Sequence, residues 1–438
     1  MTGARQANSQ MKIKWVNHAS FVVEFEDVKL ICDPWLEGTA FNDGWALLST
    51  TKFDYEEFKD ITHIWFSHEH PDHFAPSVLK KIPADYRKKI TVLYHQTLDK
   101  KVIKFCGSLG FKETIELFPA TYVTLGKNLS VLCEKIRNDS DSWLYIQTPD
   151  FKILNLNDCY FNEEKHPARI KQKIGDVDLL FCQFSYANWC GNKDAIQERR
   201  EAAREKIDEM LMQIRIFQPR FVVPFASFVW FCNRDNHYMN DQVNRIHNVY
   251  DQLKTIRRIE PLVFYPGFEW DASQKYRKSG EAIDLYRKDY ERVVASPKLL
   301  ASSSVSLDDL KTAADDYRER SLARNDKAKM LALPPFSCYL TDLGRSLEFS
   351  FKRGLVESDC SPERADVSFG SQVLHYCFRF DWGFGTLEVS GRFEKPPKGN
   401  YNNVAQYLWV SELMNIGKGV PGRYRRGLTR FKQAIGLA

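Results

Sequence analysis

The sequence predicts an α/β fold, sheets flanked by helices around a metal site, on three observations. Short apolar runs recur between turn residues from Met11 to about Tyr160. Helix-compatible stretches alternate with them, and that alternation marks sheets covered by helices. Residues 66–74, Phe-Ser-His-Glu-His-Pro-Asp-His-Phe, put three histidines and one aspartate into six positions, a density of ionisable groups that an ordinary packed core does not hold.

Taken in order, Lys12 to Val16, Phe21 to Phe25 and Lys29 to Cys32 carry strand signals. Ile61 to Phe66 reads as a buried strand running into the histidine motif, where Pro71 stops any continuation. The ligand candidates therefore sit on a loop at a strand end, where sites are usually built. Ser77 to Ile82 and Asp99 to Leu109 are helix-compatible; Thr91 to Tyr94, Ser130 to Lys135, Trp143 to Ile146 and Lys152 to Asn155 are further strands. Asp176 to Phe181 reads as a strand and Gln183 to Trp189 as the loop after it. From Lys193 to Phe217, apolar residues recur at helical spacing among many charges, which predicts the longest amphipathic helix, followed by a short buried strand at Phe221 to Pro224.

The Ser-rich stretch from Ala295 to Ser306 reads as a boundary between a metal-binding domain, 11–295, and a smaller module, 306–438. There the charged stretch after Ser306 reads as helix. Ser346 to Lys352, Ala365 to Phe369, Leu374 to Phe380 and Thr386 to Phe393 read as strands, and Tyr401 to Met414 as helix, an α+β arrangement. The module holds no dense ligand cluster, so its expected role is to shape the substrate pocket or a subunit interface.

With 43% hydrophobic residues in 438, the chain can bury a large core. It contains no run of about eighteen apolar residues, so no membrane span is expected. The polar stretch Met1 to Gln10 lacks the apolar core of a secretory signal, and a cytoplasmic location is the expectation. Ten cysteines are scattered from Cys32 to Cys377 without a Cys-x-x-Cys pair, reading as reduced core residues. The formal charge is +5. Lys418, Arg423, Arg425, Arg426, Arg430 and Lys432 make the last segment basic, read as a solvated helix face in preference to a nucleic-acid patch.

His68 and His70 alternate, so both can point at one ion, while Asp72 and His73 can face a second ion nearby. Imidazole and carboxylate together suit zinc, iron or manganese. This His68-x-His70-x-Asp72-His73 motif after a strand resembles the signature of the metallo-β-lactamase superfamily. Asn17-His18-Ala19-Ser20-Phe21, followed by Ile31-Cys32-Asp33-Pro34-Trp35-Leu36, is similar to the opening of one branch. That branch includes the ascorbate-6-phosphate lactonases and the catalytic part of CMP-N-acetylneuraminate hydroxylase. Asp33 to Leu36 with Phe41 and Gly44-Trp45, and Ile153 to Cys159, look more like the hydroxylase. The resemblance covers about residues 11 to 270. It implies a metallo-β-lactamase-like four-layer αβ/βα sandwich with metals at the edge of two packed sheets. It also implies Asp158 as a carboxylate bridging two metals, and His18 and Asp33 as groups that orient ligands, a satisfied core histidine being the alternative for His18.

The chain departs from the superfamily's hydrolases in two places. Their third histidine precedes the bridging aspartate by roughly twenty residues. Arg137-Asn138-Asp139-Ser140-Asp141-Ser142 stands there, and Asp139 is the candidate ligand, with Asp141 and Glu134 behind it. Their final histidine should follow the strand at Val222-Val223, where Pro224-Phe225-Ala226-Ser227 stands instead. His237 is a candidate to replace it or to contact substrate. Fewer histidines and more carboxylates move the centre toward the two-histidine, one-carboxylate face that lets iron(II) bind dioxygen.

The first expectation is therefore an iron-dependent oxygenase, a hydroxylase or monooxygenase of a small polar metabolite. One or two irons would be held by His68, His70, Asp72, His73, Asp139 and Asp158. The alternative is a zinc or manganese hydrolase of a phosphoester, lactone or amide, in which Asp72 or Asp158 orients a metal-bound water. The hydroxylase family also carries a Rieske cluster, which needs Cys-x-His and Cys-x-x-His; this chain has neither. Electrons must then come from a separate reductase, a second iron in the same site, or the substrate. Tyr186, Asn188 and Trp189 are expected at the mouth of the site, core packing being the alternative for Tyr186 and Trp189.

Overall fold

A computed structural model of the chain describes residues 10–136 and 141–420. Two seven-stranded mixed sheets form the larger part. The first runs Glu269–Asp271, Lys12–Asn17, Ser20–Phe25, Val28–Cys32, His63–Phe66, Thr91–His95, Glu113–Leu117. The second runs Glu260–Pro261, Phe221–Phe225, Leu179–Gln183, Lys152–Asn155, Ser142–Gln147, Ser130–Lys135, Val123–Thr124.

Strand periodicity explains why these segments read as continuous apolar runs. Phe21, Val23, Leu30, Cys32, Trp65 and Leu93 join Val131, Cys133, Leu144 and Ile146 of the other sheet in one buried cluster. Their chain neighbours Val22, Ile31, Ile64, Phe66 and Val92 face the opposite way, into a second cluster with Val78, Leu79, Val102 and Cys106 of the Pro76–Lys81 and Lys101–Ser108 helices. On the second sheet, the Ile196–Phe217 helix packs against Leu179–Gln183 and buries Met210, Ile214 and Phe217. The result is the αβ/βα sandwich of four layers that the resemblance implies.

From Leu307 onward a four-stranded sheet, ordered Gly354–Glu357, Arg345–Ser350, Phe336–Leu340, Val367–Phe369, shares its own buried cluster with the surrounding helices. Two expected strands are helices here: the segments read at Leu374 to Phe380 and Thr386 to Phe393 lie mostly in Ser371–Arg379 and Gly383–Ser390. Their aromatic and β-branched content suggests strand, but burial of Val373, Leu374, Cys377 and Phe378 follows a helical period, and that packing prevails. Arg423, Arg425, Arg426, Arg430 and Lys432 lie outside the described residues, and Lys418 is exposed. Among the described residues no helix is long and apolar enough to cross a membrane, and all ten cysteines are free thiols.

One junction shapes the site. Phe41, Asn42 and Asp43 carry φ of 53°, 57° and 57°, three successive non-glycine residues in the left-handed region. Such backbone persists only where its surroundings over-determine it. The determinant is Arg392, whose side chain is fully buried. Its Nη1 donates to the Asn42 carbonyl (2.6 Å) and Gln372 Oε1 (3.0 Å), and its Nη2 to Asp235 Oδ2 (2.9 Å) and Ser302 Oγ (2.7 Å). Asn236 Nδ2 ties the Gly44 carbonyl (2.9 Å) to that of Ser390 (2.6 Å). A Cβ at Gly44 would lie 2.9 Å from both the Phe41 and Ser390 carbonyl oxygens, so only glycine fits.

Candidate metal centre

The centre begins where the His63–Phe66 strand stops. The Ser67 N–H donates to Asp33 Oδ1 (2.7 Å) at the end of the adjacent strand. The His73 and Phe74 N–H groups both reach the His70 carbonyl (3.0 and 2.7 Å), closing the loop into a turn. His68, Asp72 and His73 are thereby buried and His70 half-buried. The Glu69 carboxylate between the two histidines is held by Asn415 Nδ2 and by Lys101 Nζ (3.1 Å). His18, Asp33, Asn157 and Ala226, at other strand ends of the same edge, have φ of 42°, 41°, 52° and 52°, a concentration of strained backbone typical of functional sites.

The donor atoms converge. His68 Nε2 lies 2.9 Å from His70 Nδ1 and 3.7 Å from Asp141 Oδ1. His73 Nε2 lies 3.2 Å from Asp72 Oδ2 and 3.2 Å from Asp158 Oδ2, and His18 Nε2 lies 3.3 Å from Asp72 Oδ2. Asp158 Oδ2 is also 4.0 Å from His68 Nε2, so one carboxylate oxygen stands between the two halves. Among the described residues three groups could each hold an ion: His68, His70, Asp141; His18, Asp72, His73; and His68, His73, Asp158.

The beta-lactamase superfamily domain, as a sequence family, matches residues 12–197. Among curated relatives, the human inactive cytidine monophosphate-N-acetylneuraminic acid hydroxylase is 25% identical over 232 residues, 51% of this chain and 46% of that protein. The hydroxylase of Pongo pygmaeus is also 25% identical, over 51% of this chain and 39% of its own length. A putative Rieske 2Fe-2S iron-sulfur protein of Mycolicibacterium smegmatis is 22% identical over 57% of this chain and 50% of its own. The matches thus span about half or less of these relatives. Among solved structures, CmlA, a diiron beta-hydroxylase from Streptomyces venezuelae, has a TM-score of 0.44 at 13% identity, covering 61% of this chain and 55% of its own.

The converging residues fit a metal on the chemistry of their donors. Two ligands about 2.1 Å from one ion and at right angles to each other are about 3.0 Å apart. The His73 and Asp72 spacings match, and the buried Asp72 Oδ1 lacks a hydrogen-bond partner. Burial, reinforced by the His73 and His70 imidazoles, holds His68 well below the usual imidazole range, so it offers a neutral nitrogen. Against burial, Asp72 and Asp158 hold the His73 imidazole well above that range; a metal ion would supply the positive charge that a proton supplies there. Outer groups fix the rings. Asp33 Oδ2 meets His73 Nδ1 at 3.1 Å and accepts from Asn157 Nδ2, Ser67 Oγ lies 2.9 Å from His68 Nδ1, and Gln183 Nε2 donates to Asp158 Oδ1 at 3.3 Å.

Asp139 lies outside the described residues; Asp141, which the sequence ranks behind it, joins His68 and His70. His18 enters the donor set itself, beyond the orienting role the resemblance implies. Its carbonyl accepts the Ala226 N–H (3.1 Å), which draws the first turn against the strand end where the hydrolases' final histidine is absent. No local signal reveals that pairing. His237 is a correction: its Nε2 lies 3.2 Å from the Val293 carbonyl and its ring packs against Trp230, so it takes no part in the centre or its cavity. His70, Asp141 and Asp158 open onto a cavity of about 1310 Å³ whose walls include Phe41, Trp45, Tyr186, Asn188 and Trp189. The Tyr186 hydroxyl is turned away, donating to the Met239 carbonyl. Asp33→Asn should weaken metal affinity by about 10–100-fold, because His73 loses the carboxylate that orients it. Chelator competition measures this, and wild-type affinity would refute the role.

Proposed function

We propose that the chain is an iron-dependent oxygenase, a hydroxylase or monooxygenase of a small polar metabolite. The observation that carries this reading is the His68, His70, Asp141 group, two imidazoles and one carboxylate beside an open cavity. Iron held there supplies the binding and activation of dioxygen that such a ligand face permits. The similarity to cytidine monophosphate-N-acetylneuraminic acid hydroxylase supports the same class. Asp158, with its oxygen between His68 and His73, is suited to neutralise two cations at once, the second being held by Asp72, His73 and His18. Phe41, whose ring meets His70 edge-on at 5.4 Å, and Trp45 keep an apolar wall against the centre and limit water there. Asn188 offers an amide to substrate from the wall. Reducing equivalents come from a separate reductase, a second iron, or the substrate.

A hydrolase is the second reading, favoured by the Asp158 side chain, which is 20% exposed and lines the cavity, where it can orient a water molecule. Metal analysis of protein purified without added metal, with optical spectra of the reduced form before and after oxygen, separates the two. Iron at about two per chain with an oxygen-dependent band is the expected result. Zinc or manganese, with no response to oxygen, would establish the hydrolase instead.

A further inference from the structure

We propose that Lys395 forms an anion-binding subsite at the wall of the metal cavity, taking a carboxylate or phosphate group of the substrate. The assignment of that anion to a substrate rests on the reading of the cavity as an active site. Lys395 lines the same cavity as His70, Asp141 and Asp158 but comes from the C-terminal part of the chain. Its backbone is fixed by Asn192, whose Oδ1 accepts the Lys395 N–H (2.8 Å) and whose Nδ2 donates to the Lys395 carbonyl (2.7 Å).

The ammonium is caged by rings. Nζ lies 4.1 Å from the Trp189 ring centroid and 3.9 Å from that of Tyr401, with Phe393 at 5.9 Å. Aromatic faces attract a cation, yet leave its three N–H donors without a lone-pair acceptor. Among the described residues Lys395 forms no salt bridge and no side-chain hydrogen bond, whereas the other cavity cations are engaged. Lys206 pairs with Glu209 (3.3 Å), and Arg200 donates to Gln242 (3.1 Å). Burial lowers the Lys395 ammonium from its ordinary range, a cost that Glu388 offsets only in part. A rigid, partly desolvated cation with free donors is preorganised for a charge-assisted contact. The cavity, at about 1310 Å³, has room for a substrate that spans from this lysine to the metal face.

Competitive amine acylation of the intact chain tests this, with modification of Lys395 and Lys206 read separately by mass spectrometry. The probes are inorganic phosphate and succinate. One of them should slow acylation of Lys395 by about tenfold near saturation and leave Lys206 unchanged. Protection by phosphate identifies a phosphorylated substrate, protection by succinate a carboxylated one. Equal protection of both lysines, or none of Lys395, overturns the proposal. Calorimetric titration of Lys395→Gln with the protecting anion should show affinity reduced by about tenfold or more, and unchanged affinity overturns it. The metal content of the same preparation is measured apart. Zinc in place of iron would defeat the oxygenase reading without touching the subsite, and failed protection would do the reverse.

Discussion

Asp141→Ala is expected to lower affinity for metal at the His68, His70 face by more than about 100-fold and to abolish turnover. Loss of an outer partner already costs about 10–100-fold, and Asp141 is grouped directly with two imidazole nitrogens in a set that could hold an ion. Asp141→His carries the test further. It converts the face to three imidazoles, which suits zinc better than iron, so metal content should move toward zinc. Full metal content in Asp141→Ala would reverse the assignment.

Arg392→Met should destabilise the protein by about 3 kcal/mol, the scale expected when buried acceptors lose a charged donor. Methionine preserves much of the packing volume but offers no donor, leaving the Asn42 carbonyl and Gln372 Oε1 without the Arg392 guanidinium. Asp235, at 39% side-chain exposure, can turn to water, which keeps the loss from being larger. Denaturant unfolding measures the change. A midpoint equal to wild type would show that the left-handed turn at Phe41 to Asp43 holds itself.

The fold of the first part was legible because its strands are buried on both faces and announce themselves as apolar runs, and because His68, His70, Asp72 and His73 are close in sequence. The remaining donors were harder to place for a physical reason. His18 reaches the centre through a turn pinned to Ala226, a contact between segments far apart in the chain that no local spacing encodes. Asp141 and Asp139 are equivalent as text, and of the two only Asp141 lies within the described residues. The helices at Ser371–Arg379 and Gly383–Ser390 contain residues that favour strands in isolation, and tertiary packing overrode that preference. His237 shows the converse, a residue attractive by chemistry that the fold spends on a backbone carbonyl.

The clasp between Arg392 and Asn42 joins residues 350 positions apart, and that between Asn415 and Glu69 joins residues 346 apart. Ribosomes add about 5–20 residues per second, so the loops bearing Phe41 and His70 wait tens of seconds for the segments that brace them. Throughout that interval the histidines already exist, but on unbraced loops. A site braced only by these late segments is therefore expected to take up its metal after translation.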